Sequence, residues 1–183
     1  MYSRSSEPVR FERDCAAVLV PQGDEVTLPA GTVGYITQSL GGSWTVFVEG
    51  NLMRIAGKDG DAIGKDAPAP IALPEGASDE DVEALVWSQL RTCFDPEIPV
   101  NIVELGLVYS ADDRPRDEGG RMVEVRMTLT APGCGMGEIL VDDVRSKIEL
   151  IPTVAEADVE LVFDPPWNRT MMSELAQLET GLL

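Results

Sequence analysis

Residues 122–151 read MVEVRMTLTAPGCGMGEILVDDVRSKIELI, and this stretch decides the fold class. From Met122 to Thr130, the apolar Val123, Val125, Met127 and Leu129 alternate with Glu124, Arg126, Thr128 and Thr130. That two-residue period predicts a strand with one buried face. Ala131-Pro132-Gly133 turns the chain. Met136, Leu140, Val144, Ile148 and Ile151 then recur at helical spacing and predict an amphipathic helix. Beyond it, Ala155, Ala157, Val159, Leu161 and Phe163 alternate with Glu156, Asp158 and Glu160, a second half-buried strand. Strand, helix and strand in this order predict a two-layer α/β domain with its helices on one sheet face.

Working back from this stretch, Ser78-Asp79-Glu80-Asp81 has the form of a capping box. Val82, Val86, Leu90 and Cys93 follow as one helix face, which Pro96 and Pro99 stop. At the far end, Thr170 to Leu178 predicts a short helix. Gly57 to Ala77 changes composition to Gly, Asp, Pro and Ala, and Ala67-Pro68-Ala69-Pro70 is a stiff spacer. Before it, short extended runs (Cys15–Val20, 25–28, 32–40, 43–49 and 52–56) alternate with turns. Gly41-Gly42 is a two-residue hairpin signal. The expected organisation is α+β: a small N-terminal β-barrel or roll over 1–66, a Pro/Ala-rich linker over 67–77, and the compact two-layer α/β domain over 78–183.

Composition excludes several function classes. The chain has 183 residues, a net charge of −18, three cysteines and no histidine. No Ser-His-Asp triad, Cys-His dyad or His-ligated zinc can be built from it alone. The negative charge argues against nucleic acid and against an anionic membrane surface as partners. Residues 1–14 are polar and carry no signal-like apolar run, and no apolar stretch is long enough to span a bilayer. Cys15, Cys93 and Cys134 are odd in number and far apart, unlike a disulfide framework. The expected location is the cytoplasm, with reduced thiols.

Among the thiols, Cys134 stands out. It follows a strand and a Pro-Gly turn and opens the helix of Met136 to Ile151, where free N–H groups and the helix dipole favour a thiolate. Gly133, Gly135 and Gly137 around it permit close approach of a partner. A packed core thiol would not need those glycines. The turn also offers anion-binding N–H groups, but it lacks the GKS or GKT ending of a P-loop and the GxGxxG spacing. Cys93 continues an apolar stripe and Cys15 opens a strand, so both read as packing, with a Cys93–Cys134 redox pair left open. Asp95 and Glu97 sit on a loop stiffened by Pro96 and Pro99, suited to a hard cation or to orienting a neighbour. In isolation this pair reads as a helix-ending turn with solvated acids.

Three ordered motifs resemble a known family. Residues 95–109, DPEIPVNIVELGLVY, resemble the opening signature of the PaaD-like metal–sulfur cluster assembly domain. Residues 127–137, MTLTAPGCGMG, resemble its second signature, in which two threonines precede a reactive cysteine. Phe163-Asp164-Pro165-Pro166-Trp167 and Met172-Ser173 resemble its ending. The β-rich N-terminal half, with Gln38-Ser39-Leu40-Gly41-Gly42, resembles the extension of the longer SufT proteins. The resemblance implies a compact α/β fold and a role as a non-enzymatic accessory factor in iron–sulfur cluster assembly. It implies Cys134 as the cluster or partner contact, transient and shared between subunits where metal is held, with Asp95 and Glu97 near it. Thr128 and Thr130, on the polar face of their strand, are expected to point toward the same pocket, and Gly133 and Gly135 flank the thiol. The implied partners are a SUF-type assembly machinery and recipient apo-proteins, with a homodimer allowed. Three separated cysteines cannot supply a permanent cluster, so a transient cluster or iron is the implied cargo, with nothing tightly bound. An adaptor that never touches metal fits equally. Two other classes stay open: a subunit of a multicomponent ring-oxidising enzyme, and a thiol-redox protein.

Overall fold

The computed structural model describes residues 6–95, 98–133 and 135–181. The chain divides into two compact units, Met1–Ala69 and Pro70–Leu183. No helix among the described residues is long and apolar enough to cross a membrane.

The first unit is an antiparallel sheet of β1 (Glu7–Arg10), β2 (Cys15–Val20), β3 (Glu25–Leu28), β4 (Val33–Leu40), β5 (Ser43–Val48) and β6 (Asn51–Ile55). Their order is β1-β4-β5-β6-β2-β3. Gly41 and Gly42 close the β4–β5 hairpin at φ +59° and +75°, a left-handed pair that glycine alone adopts without strain. Phe11, Cys15, Ala17, Trp44, Val46, Val48 and Ile55 form the core on one face. β1 and β3 are the two ends of this order and no pairing joins them among the described residues, so closure into a barrel is not part of the observed pairing. A 3-10 helix over Gly57–Ile63, within the stretch read as glycine- and acid-rich, buries Ala62 and Ile63. Gly60 lies so close under the Trp44 ring that a Cβ there would stand 2.6 Å from the indole. Arg13 fastens the helix through Asp59 (3.0 Å) and Asp61.

The second unit holds β7 (Val108–Pro115), β8 (Arg121–Met127) and β9 (Val154–Leu161) in the order β7-β8-β9, with β7–β8 antiparallel and β8–β9 parallel. α1 (Asp79–Leu90) and α2 (Gly137–Ile148) pack on each other, α1 also on β7 and α2 on β9. The mixed α+β class is as expected. Ser78 caps α1 with the reciprocal Asp81 box, and Val82, Val86 and Leu90 are buried as the spacing predicts. The parallel β8–α2–β9 crossover places Val123, Val125 and Met127 under Leu140, Val144 and Ile148, in one core that also takes in Cys93. Arg121 ties the sheet to α1, donating to Asp113 (2.6 Å) and Asp79 (2.7 Å). Lys147 ties α2 to the end of α1 through the Thr92 carbonyl (2.7 Å) and Asp143 (2.9 Å).

Five elements differ from expectation. The predicted strand to Thr130 ends at Met127, because β7 begins only at Val108 and leaves Thr128 without a ladder partner beyond the Leu107 carbonyl. α2 stops at Ile148, with Ile151 buried on the following turn. The C-terminal helix is α3 (Glu174–Glu179), preceded by a 3-10 turn over Arg169–Met171. β1 and β7 fall in segments whose charges mask their alternation.

Candidate functional site

The three motif segments meet at one end of the second unit's sheet, where β8 and β9 finish, β7 begins and α2 starts. Main-chain bonds knit them together. The Thr128 N–H donates to the Leu107 carbonyl (2.8 Å), and the Val162 N–H to the Met127 carbonyl (2.8 Å). Ligand sites of open α/β sheets concentrate at such carboxyl ends of parallel strands.

The first loop is shaped by its own side chains. Phe94 and Asn101 pair as an isolated antiparallel bridge, and the Ile102 N–H donates to the Cys93 carbonyl (2.9 Å). Asp95 Oδ1 accepts the Ile98 N–H at 3.2 Å. Asn101 Oδ1 accepts from Val103 (3.1 Å) and Glu104 (2.9 Å), an Asx turn. Gly106 sits at φ +70° with the Met171 backbone against it, so a side chain there is excluded both by conformation and by space.

The C-terminal motif clamps this loop. Trp167 Nε1 donates to the Leu105 carbonyl (2.8 Å), the Ser173 N–H to the Glu104 carbonyl (2.9 Å), and the Tyr109 hydroxyl to the Pro165 carbonyl (2.7 Å). Asn101, Tyr109 and Trp167 are thus scaffold residues that sequence reasoning did not single out. The signal available was the polar tip that each carries among apolar neighbours, since such tips find partners when buried.

Of the predicted site residues, Cys134 and Glu97 lie outside the described residues. Thr128, Thr130, Gly133 and Gly135 share the loop between β8 and α2, while Asp95 is on the neighbouring loop. Thr128 is fully buried, not on an exposed polar face, and its Oγ1 has no hydrogen-bond partner among the described residues. An unpaired buried hydroxyl costs stability, so a residue with that shape and no hydroxyl would be preferred if packing were its only task. Thr130 is half-buried and Gly135 exposed. Gly133 has φ +79° with open space where a Cβ would lie. Gly137 has a different role: a Cβ there would stand 2.8 Å from Leu129, so its small size lets α2 seat on the loop. Among the described residues, no side chain caps the N-terminus of α2 at Met136.

The two described cysteines are both buried. Cys93 is fully buried, and its thiol donates a hydrogen bond to the Gln89 carbonyl at 3.6 Å. Cys15 is buried, and desolvation, then Asp59, raises its thiol above the usual range and keeps it protonated. The proposed Cys93–Cys134 pair falls outside the described residues at Cys134. No group of three or more Cys, Asp and Glu side chains gathers to hold a metal among the described residues.

Residues 83–160 match the family described as iron-sulfur cluster assembly protein. This span includes the 94–107 and 128–136 loops but ends before the clamp. An Fe-S protein maturation auxiliary factor of Porphyromonas gingivalis is 47% identical over 94 residues, covering 51% of this chain and 86% of that protein. The Fe-S protein maturation auxiliary factor YitW of Bacillus subtilis is 38% identical over 104 residues (57% and 98%). The Fe-S protein maturation auxiliary factor SufT of Staphylococcus aureus is 41% identical over 89 residues (49% and 97%). Each relative is matched over most of its length, while about half of this chain has no counterpart in it.

Proposed function

Because the chain belongs to the iron–sulfur cluster assembly protein family, we propose that it is an accessory factor in the maturation of iron–sulfur proteins, aiding delivery or insertion of clusters into recipients. Cys134 is the contact or ligand residue of this reading, Asp95 and Glu97 its supporting carboxylates, and Thr128 and Thr130 the polar groups of the same loop system. The observation that carries it is the fastening of the 94–107 and 128–136 loops at one sheet end, inside the matched span. Thiolate suits iron and clusters, and carboxylates add hard ligands. A cluster is cargo here, held between Cys134 and a second subunit or partner because one thiol cannot complete its coordination.

The role is non-catalytic and cytoplasmic, with a SUF-type machinery and apo-proteins as partners. The chain's acidity steers basic surfaces toward it, an effect that salt weakens. Anaerobic reconstitution tests the carrier form: wild type should take up iron and sulfide with visible absorption, and Cys134→Ser should lose it. Uptake that survives in Cys134→Ser contradicts the assignment of this thiol. No uptake by either protein, with maturation still dependent on the chain, leaves the adaptor form and rejects the carrier.

A further inference from the structure

Strand β9 is an edge of its sheet. Its parallel register turns the main-chain groups of residues 158 and 160 toward β8, as the Val162–Met127 bond continues. Ala157, Val159 and Leu161 therefore turn theirs outward. The Ala157 N–H is taken by Glu149 Oε1 (3.3 Å). No described residue pairs with the outward N–H groups of Val159 and Leu161. Beside this open stretch runs a groove of about 330 Å³ lined by Glu138, Val141, Asp142, Arg145, Val159 and Leu161.

The opposite face of β9 carries Glu156, Asp158 and Glu160, all exposed. Arg116 reaches Glu156 (3.2 Å) and Arg126 reaches Glu160 (3.4 Å). Asp158 instead lies across from Glu124, a like charge. A second copy is a poor occupant, because pairing two β9 edges sets acids beside acids. Protection against aggregation accounts for charges on an edge, but not for a groove alongside it that Val141, Val159 and Leu161 line together with Glu138, Asp142 and Arg145.

We propose that this edge and groove bind an extended segment of a partner protein with alternating basic and apolar residues, added as a fourth strand. Its basic side chains lie beside Glu156, Asp158 and Glu160; its apolar ones enter the groove against Val141, Val159 and Leu161. Main-chain bonds to Val159 and Leu161 hold it, in the manner of strand addition to an exposed edge. This names the partner chemistry of the maturation reading and rests on it.

The test uses the full chain and a short fluorescent peptide of alternating lysine and valine, read by anisotropy. Saturable, salt-sensitive binding is expected, with an alternating glutamate–valine peptide not binding. Asp158→Lys should weaken binding roughly three- to tenfold through cross-strand charge. Leu161→Pro removes an outward donor while sparing the β8 ladder, and should weaken it about tenfold. Equal binding of both peptides, or affinity unchanged in both variants, overturns the proposal. So does a wild-type dimer in sedimentation that Leu161→Pro disperses, which would give the edge to a second copy. Peptide binding is read independently of cluster delivery, so its failure leaves the assignment of Cys134 standing, and loss of that assignment leaves the peptide result intact.

Discussion

The two units solve the same packing problem with opposite surface chemistry. Residues 1–69 carry six basic and nine acidic side chains, whereas residues 70–183 carry eight and twenty-three. The first unit leaves an apolar row on its outer face, Tyr35, Phe47 and Leu52 aligned across β4, β5 and β6. The second covers its sheet with helices and lines its edge strand with acids. Most of the chain's net negative charge, −15 of −18, therefore lies in the unit that holds the motif loops. Any long-range attraction of basic surfaces comes mainly from that unit.

Substitutions can separate the units. The largest effect is expected from Ile148→Ala, which empties a fully buried position of the second unit's core. It should cost about 2–5 kcal/mol in denaturant unfolding, with the first unit's Trp44 environment unchanged in near-ultraviolet spectra. Gly106→Ala comes next. It forces a side chain into the Met171 backbone at positive φ and should lower stability by roughly 1–3 kcal/mol, loosening the C-terminal clamp in hydrogen exchange. A Ser78→Ala change removes one half of the capping box and should cost about 1 kcal/mol, read as a lower melting temperature.

Thr128→Val bears on the site itself. Replacing a buried hydroxyl that has no partner among the described residues should leave stability unchanged or raise it by up to about 1 kcal/mol, while lowering maturation activity. A clear loss of stability would mean that the hydroxyl is satisfied in the folded protein.

The smallest effect is acid sensitivity. Arg13 holds the Asp61 carboxyl below its ordinary range through their side-chain hydrogen bond, and the Ser78 N–H does the same for Asp81. Both groups favour the folded state above the ordinary aspartate range, and that contribution is lost as pH falls through their depressed folded values. Arg13→Ala should flatten the acid limb of the first unit's melting curve and leave that of the second unchanged.

The second unit was largely legible because its periods are clean. The β8 alternation, the α1 capping box and the α2 stripe each state one structure. β7 was not, since Asp112, Asp113 and Arg114 interrupt its pattern and its pairing with β8 is what makes it a strand. β1 was hidden in the same way by Glu7 and Arg10, and Pro8 within it marks an edge. At the site, the motif loops could be named from their residues, but the bonds that clamp them join positions some sixty apart in sequence, such as Trp167 and Leu105 (separation 62). Thr128 was legible as polar and not as buried. Period two places a side chain on a face only while the ladder lasts, and here it stops one residue earlier.

Activity of an iron–sulfur-dependent enzyme in cells depleted of this protein, restored with the full chain or with Cys134→Ser at equal abundance, most directly tests where function resides. The predicted result is restoration by wild type and by a surface change in the first unit, Tyr35→Ser, with little or none by Cys134→Ser. Full restoration by Cys134→Ser would contradict the placement of function at the carboxyl end of the second unit's sheet.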